Sequence, residues 1–339
     1  YFDAALEANK VTATCTTPVF KVVRIDHSIE GDVTCSQPTT VSGIVGMSSI
    51  DFTRQAKTAY GVGKLDVVFM FDTSGSMGDD GRMDDLQDAA EDAVVAIFDS
   101  ETEEPDDVRI AISTYANSVN VGSYFEAVTD EEPNKYECTR WKNGRCKKWK
   151  QISATCVTGR EGTQQWTDAA PGLGAWIGYE TLDCNSATLV PLTTDEDAVL
   201  DAIDALPTSG YTAGHLGIAW SWYLISPNWS SIWPADSAPR AYDEPDTTKV
   251  AILMTDGAFN QDWMPNGSSF DHAQDYCDAM KDQGIVIYTI AFKAPDAGEE
   301  ILEYCATAKS FSFKASDGDQ LADAYKKIAT NISDLRLAH

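Results

Sequence analysis

Residues 67–80 read VVFMFDTSGSMGDD. The unbroken apolar run is what a strand buried on both faces of a parallel sheet requires. It ends on Asp72, and two hydroxyls, Ser74 and Ser76, follow around Gly75. Open α/β sheets bind ligands beyond the C-terminal tips of their strands, so a carboxylate and two hydroxyls at such a tip point to a site.

Outward from this stretch, strand and helix patterns alternate. Helical spacing over 82–100 sets Met83, Leu86, Ala90, Val94 and Ile97 on one face. Strands are expected at 65–71, 107–116, 249–256, 285–292 and 310–315, and helices at 193–206, 213–225, 269–284 and 319–335. Thr193 or Thr194 is a plausible cap for the first of these helices. The alternation predicts a parallel α/β sheet with right-handed crossovers. Residues 1–64, with alternating stretches such as FKVVRIDHSI and TTVSGIVGMSSIDF, read instead as a small β-rich module. Residues 65–339 then form the main domain. Two segments interrupt its rhythm, at 124–190 and 227–247. The first holds four cysteines and the basic stretch TRWKNGRCKKWK (139–150).

The 339 residues carry 53 acidic against 25 basic side chains, a net charge of −28. Such a surface repels nucleic acid and anionic membrane. Eight cysteines, Cys15, Cys35, Cys138, Cys146, Cys156, Cys184, Cys277 and Cys305, contain no C-x-x-C pair, and there are four histidines. That speaks against zinc or iron–sulfur sites and for four disulfides in an oxidising compartment. About 105 pairings are open in principle. Proximity favours Cys15–Cys35, Cys138–Cys146, Cys156–Cys184 and Cys277–Cys305. No apolar run reaches the ~20 residues of a membrane span. The opening YFDAALEANK reads like the last turns of a helix, as though an N-terminal piece were missing.

A second strand ends in aspartate, AILMTD at Asp256, and SGYTAGHL puts Thr212 at a helix start. Asp72, Ser74, Ser76, Thr212 and Asp256 can gather above one sheet edge. Thr208 competes for the threonine role. All are oxygen donors, the preference of Mg²⁺, Mn²⁺ or Ca²⁺. The bland alternative is that Ser74 and Ser76 merely cap the next helix.

The order D-x-S-x-S, a distant threonine and a distant D-G resembles the metal-ion-dependent adhesion site of von Willebrand factor type A domains. DTSGSM matches its first part, and Thr212 and Asp256 its distal parts. The resemblance covers most of 65–335 outside the insertions. It implies a Rossmann-like, doubly wound sheet with helices on both faces. It also implies hydroxyls bound directly to a divalent cation, with Mg²⁺ foremost, and at least one aspartate acting through water. A partner's Asp or Glu would complete the shell, with no bond broken. The stretches at 156–172, 247–260, 277–292 and 325–338 further resemble TadG-type proteins of bacterial tight-adherence (Flp) pilus systems. That resemblance implies a periplasmic or surface location, an N-terminal membrane anchor outside this chain, and pilus components as partners.

Enzyme readings fit poorly. A phosphotransferase using Asp72 as nucleophile wants a second aspartate at position 74, which is serine. A serine hydrolase wants G-x-S-x-G, and GVGK (61–64) is half a phosphate loop. DDGRMDD (79–85) lacks EF-hand spacing and reads as an acidic helix start. His215, in an apolar helix, reads as packing. The remaining alternative is a pilus assembly or structural factor that docks through 124–190 and keeps the metal for structure only.

Overall fold

A computed structural model describes residues 13–23, 28–39, 49–59, 63–100, 107–153, 155–180, 186–264 and 267–337. The chain divides into two compact units, Tyr1–Val62 with Leu337–His339, and Gly63–Arg336.

In the first unit, β1 (Thr14–Cys15), β2 (Val19–Val23), β3 (Ser28–Pro38) and β4 (Ser49–Ala59) form an antiparallel sheet in which β3 pairs with each of the others. Cys15 lies directly opposite Cys35 in this ladder, and the two are disulfide-bonded. Among the residues of this unit whose burial is described, Cys35 is buried, while Val19, Phe20 and Ile50 are exposed. The crosslink stabilises chiefly by restricting the unfolded chain. The helix expected at 1–10 and much of the strand pattern at 39–52 lie outside the described residues.

The second unit is a three-layer α/β/α sandwich. Its strands are β5 (Lys64–Asp72), β6 (Val108–Tyr115), β7 (Val119–Asn120), β8 (Asn134–Lys142), β9 (Arg145–Ser153), β10 (Cys156–Arg160), β11 (Ile177–Glu180), β12 (Val190–Thr193), β13 (Thr247–Thr255), β14 (Val286–Phe292) and β15 (Ser312–Ala315). Its helices are α1 (Arg82–Phe98), α2 (Phe125–Thr129), α3 (Glu196–Asp204), α4 (Gly214–Ile225), α5 (Ser269–Asp282), α6 (Asp296–Cys305) and α7 (Gly318–Leu337). The main sheet runs β12-β6-β5-β13-β14-β15, parallel except for β12, which pairs antiparallel at the edge.

Alternation along the strands divides the core. Val67, Phe69 and Phe71 pack with Leu86, Val94 and Tyr325 of α1 and α7. Val68 and Met70 pack with Leu216 and Trp220 of α4 and with Tyr276 of α5. Every residue of α4 is buried. It approaches the sheet because Gly217 has no side chain; a Cβ there would collide with the Tyr115 ring.

Three features depart from the sequence expectations. The cap of α3 is Asp195, whose carboxylate accepts from the Ala198 amide, while the Thr193 hydroxyl accepts from the Asp195 amide. The helix α6, with four acids in ten residues, lies between the expected strands at 285–292 and 310–315, where no element was expected. The basic stretch lies in a hairpin, β8–β9, with register shifts between Cys138 and Trp141, turning at Asn143 and Gly144, both of positive φ. Asn-Gly flanked by strand residues is the usual mark of such a turn.

The interruptions also contribute to the body. Arg160 is buried with its guanidinium over the Tyr223 and Trp229 rings, and it donates to the carbonyls of Gln164, Thr167 and Ala169. Trp229 and Trp233, from 227–247, are buried against Trp220 and Tyr223. Cys138–Cys146 and Cys277–Cys305 are disulfides, and Cys156 is disulfide-bonded too. Cys184 lies outside the described residues. Among the described residues, no helix is long and apolar enough to cross a membrane.

Candidate metal site at the strand tips

β5 and β13 are adjacent parallel strands, so their C-terminal residues Asp72 and Asp256 come to the same edge. Asp72 is fully buried and Asp256 nearly so. The chain leaves β5 through Thr73 and enters a short turn at Gly75–Gly78. The Ser74 amide donates to Asp72 Oδ1 at 2.9 Å. The Ser74 and Ser76 hydroxyls lie 3.3 Å apart, and Ser76 Oγ donates to Asp256 Oδ1 at 2.7 Å. Neither serine caps α1. Ser74 precedes the short turn without a side-chain cap bond, and the residue before α1 is Gly81. The capping alternative is therefore set aside.

Thr212 arrives from the loop before α4. The Gly75 amide donates to the Gly210 carbonyl at 2.9 Å, and the Ser209 amide donates to the Thr73 carbonyl at 2.9 Å. Asn117 Oδ1 receives the Tyr211 amide, and Asn260 Oδ1 receives the Thr212 amide. Thr212 Oγ1 stands beside Gly257, the residue after Asp256; a Cβ at Gly257 would sit 3.3 Å from it. Thr208 turns away, its Oγ1 crowding the place where a Cβ of Gly78 would be. Ser74, Ser76 and Asp256 are thus linked side chain to side chain, Asp72 is joined to them through the Ser74 amide, and the loop that carries Thr212 is tied by its backbone to the turn that carries the serines.

Three contacts were not anticipated from the sequence. Tyr115 OH and Thr255 Oγ1 donate to Asp72 Oδ2, at 2.9 and 2.6 Å. Arg82, the first residue of α1, donates from Nη1 to Asp256 Oδ2 at 2.6 Å. Asp80 and Gly81 are both left-handed and turn the chain just before Arg82. The one basic residue inside DDGRMDD was its only visible signal.

Burial pushes the Asp72 carboxyl above the usual aspartate range, and the nearby Asp256 charge adds to this; hydrogen bonds from Ser74 and Thr255 offset part of it. Burial and the adjoining Asp72 charge raise the Tyr115 phenol well above its ordinary range. Tyr115 therefore stays a protonated donor. A buried carboxylate held only by neutral donors, beside a second carboxylate, suits a cation. Among the described residues, no group of three or more His, Cys, Asp or Glu could hold a metal. A cation here would rest on two carboxylates and three hydroxyls, a hard-oxygen set. Arg82 already places one positive charge on the Asp256 half of it.

Nothing in this arrangement resembles a working nucleophile and base. His215 is fully buried, and its Nδ1 lies 2.6 Å from Ser269 Oγ. Burial, with the neighbouring His272, lowers it to about 3. It is a neutral packing residue.

The family model of the von Willebrand factor type A domain matches residues 184–327. No curated protein matches. Among solved structures, the vWF domain of the type V pili tip protein Mfa5 from Porphyromonas gingivalis is 13% identical, with a TM-score of 0.48 over 82% of this chain and 97% of that one. The pilus adhesin SpaC from Lactobacillus rhamnosus GG is 11% identical, with a TM-score of 0.47 over 95% of this chain but 34% of that one. Proximal thread matrix protein 1 from the mussel byssus, with a zinc-occupied MIDAS motif, is 14% identical, with a TM-score of 0.41 over 80% and 46%. The chain thus spans about a third of SpaC and less than half of the mussel protein. The α/β architecture of the second unit is that of a von Willebrand factor type A domain.

Proposed function

We propose that this chain is a non-enzymatic binding module that recognises an acidic group of a partner through a divalent cation, Mg²⁺ foremost, held by Asp72, Ser74, Ser76, Thr212 and Asp256. The observation that carries this reading is the buried Asp72 carboxylate, which accepts only from hydroxyls and an amide and stands beside the linked side chains of Ser74, Ser76 and Asp256. The family match over 184–327 supports it. A cation held there would supply a coordination position for a partner carboxylate.

The residues divide the task. Tyr115, Thr255 and the Ser74 amide fix the Asp72 carboxylate, so its orientation does not depend on what is bound. The Gly75 and Ser209 amides tie the loop that carries Thr212 to the turn that carries the serines. Direct ligation by neutral hydroxyls, with aspartate acting through water, would leave the cation's charge undercompensated and favour an anionic partner. With no base or nucleophile in reach, the site attracts a carboxylate and cleaves nothing.

We further propose a bacterial cell-envelope setting, in a TadG-like pilus or adhesion system, with an anchor outside this chain. The disulfides support an oxidising compartment. Calorimetry with Mg²⁺ on the parent and on Ser74→Ala with Ser76→Ala tests the site. Equal heats from both proteins would sink the reading. Loss of attachment or piliation in a strain exporting the folded variant tests the setting.

A further inference from the structure

The β8–β9 hairpin is unlike the rest of the molecule. Residues 134–153 contain seven lysines and arginines and one acid, Glu137, in a chain of net charge −28. Six of those cations, Arg140, Lys142, Arg145, Lys147, Lys148 and Lys150, are exposed. So are Tyr136, Trp141 and Trp149, at 65%, 65% and 59%. The two strands make their substantial contacts only with each other. Lys135 is paired with Glu131 and lies over the Tyr179 ring, whereas the six exposed cations face a single acid, Glu137, within the hairpin.

The ladder decides where the rings point. Directly opposed residues of an antiparallel pair project to the same face. Cys138 is opposite Trp149, and Trp141 is opposite Cys146. The Cys138–Cys146 bond requires both cysteines to project to a common face, which the register shifts between Cys138 and Trp141 permit. Trp141 and Trp149 therefore share that face, one on each side of the disulfide. Tyr136, two residues before Cys138, falls on it as well. The result is a rigid row of rings rimmed by cations.

We propose that this face binds an anionic polysaccharide of uronic-acid type. A sugar ring offers a flat face of C–H bonds that packs on an indole, and a uronate adds a carboxylate for Lys and Arg. Both components of the surface are then used together. An acidic polypeptide would engage the cations and leave the tryptophans uncovered. A nucleic-acid strand would also offer anions and stacking faces, and the oligonucleotide arm of the test distinguishes it.

The test uses the whole chain, with chelator present, against immobilised polygalacturonate, neutral dextran, poly-glutamate and a single-stranded oligonucleotide. The expected result is retention on polygalacturonate and not on dextran. Trp141→Ala with Trp149→Ala should weaken this at least tenfold and leave its salt dependence in place. Lys147→Gln with Lys148→Gln and Lys150→Gln should weaken binding and flatten the salt dependence; this variant decides alone if the tryptophan variant misfolds. Ser74→Ala with Ser76→Ala should bind polygalacturonate as the parent does, which separates this surface from the metal site. Absence of polygalacturonate binding, full binding by either hairpin variant, or tighter binding of poly-glutamate or the oligonucleotide would overturn the proposal.

Discussion

Asp66 and Asp72 stand at opposite ends of the same buried strand, both fully inaccessible, and the protein treats them in opposite ways. Asp66 is surrounded by cations. Arg109 and Arg240 each bond Oδ1 at 2.8 Å, and Lys249 bonds Oδ2 at 2.9 Å. Burial alone would raise its carboxyl, but the charges of Lys249, Arg109 and Arg240 hold it below the ordinary value. Asp72 receives only hydroxyls and an amide, and is raised. Where a buried charge has a structural role, the chain neutralises it internally. Where it is left without a cation of its own, the missing charge is expected from outside.

The largest expected effect is on the closed end. Asp66→Asn strips the counter-charge from three buried or half-buried cations, and the unfolding free energy should fall by about 3–5 kcal/mol. Urea denaturation measures it, and chelator should not alter the difference. A loss below 1 kcal/mol would mean that the closed end is not held by its ion cluster.

At the open end the effect should appear only with metal. Mg²⁺ at a hundred times its dissociation constant should stabilise the parent by about 2.7 kcal/mol. Asp72→Asn should show no such response, while its metal-free form stays at least as stable as the parent. An unchanged Mg²⁺ shift in that variant would remove the contrast.

The two aspartates should also give stability-versus-pH slopes of opposite sign in metal-free buffer. The folded-state value of Asp66 lies below its ordinary 3.8, so its contribution is complete above about pH 4 and is lost as pH falls through the folded value. The folded-state value of Asp72 lies above 3.8, so stability is lost as pH rises from about 4 through that value. Denaturation midpoints of Asp66→Asn and Asp72→Asn between pH 3 and 7 should each lack one of these slopes.

The smallest effect concerns Arg82, which sits between the two regimes as a protein cation on a candidate metal ligand. Its side chain is 19% exposed. Arg82→Gln should tighten Mg²⁺ binding severalfold, by about 1 kcal/mol, because a competing charge leaves Asp256. Calorimetry would read weaker binding if the guanidinium instead positions that carboxylate for the metal.

The sheet was legible because its strands are buried on both faces and appear as apolar runs; β5 and β13 show this most clearly. The site was legible because strand-end carboxylates followed by hydroxyls are rare in a core. What stayed hidden involves groups whose partners are distant in sequence. Tyr115 and Thr255 look like ordinary strand residues until β6 and β13 bring them to Asp72. Arg240 lies 174 residues from Asp66 and was read only as part of an interruption. The antiparallel β12 is four residues long, too short for alternation to declare itself. The hairpin turn is signalled by Lys142-Asn143-Gly144-Arg145, but charged residues at successive positions of 139–150 leave no apolar alternation to mark its strands.

One detail of the loops bears on motion. The amides of Gly75 and Ser209 cross between the two loops, each bonded to the other loop's carbonyl. Opening either loop alone would break both of these hydrogen bonds. In hydrogen–deuterium exchange, both amides should therefore belong to one cooperative opening unit, exchanging at a common rate and slowing together when the site is filled. The serines and Thr212 would then respond to a ligand together, because engagement by one loop alone would cost the bonds between them.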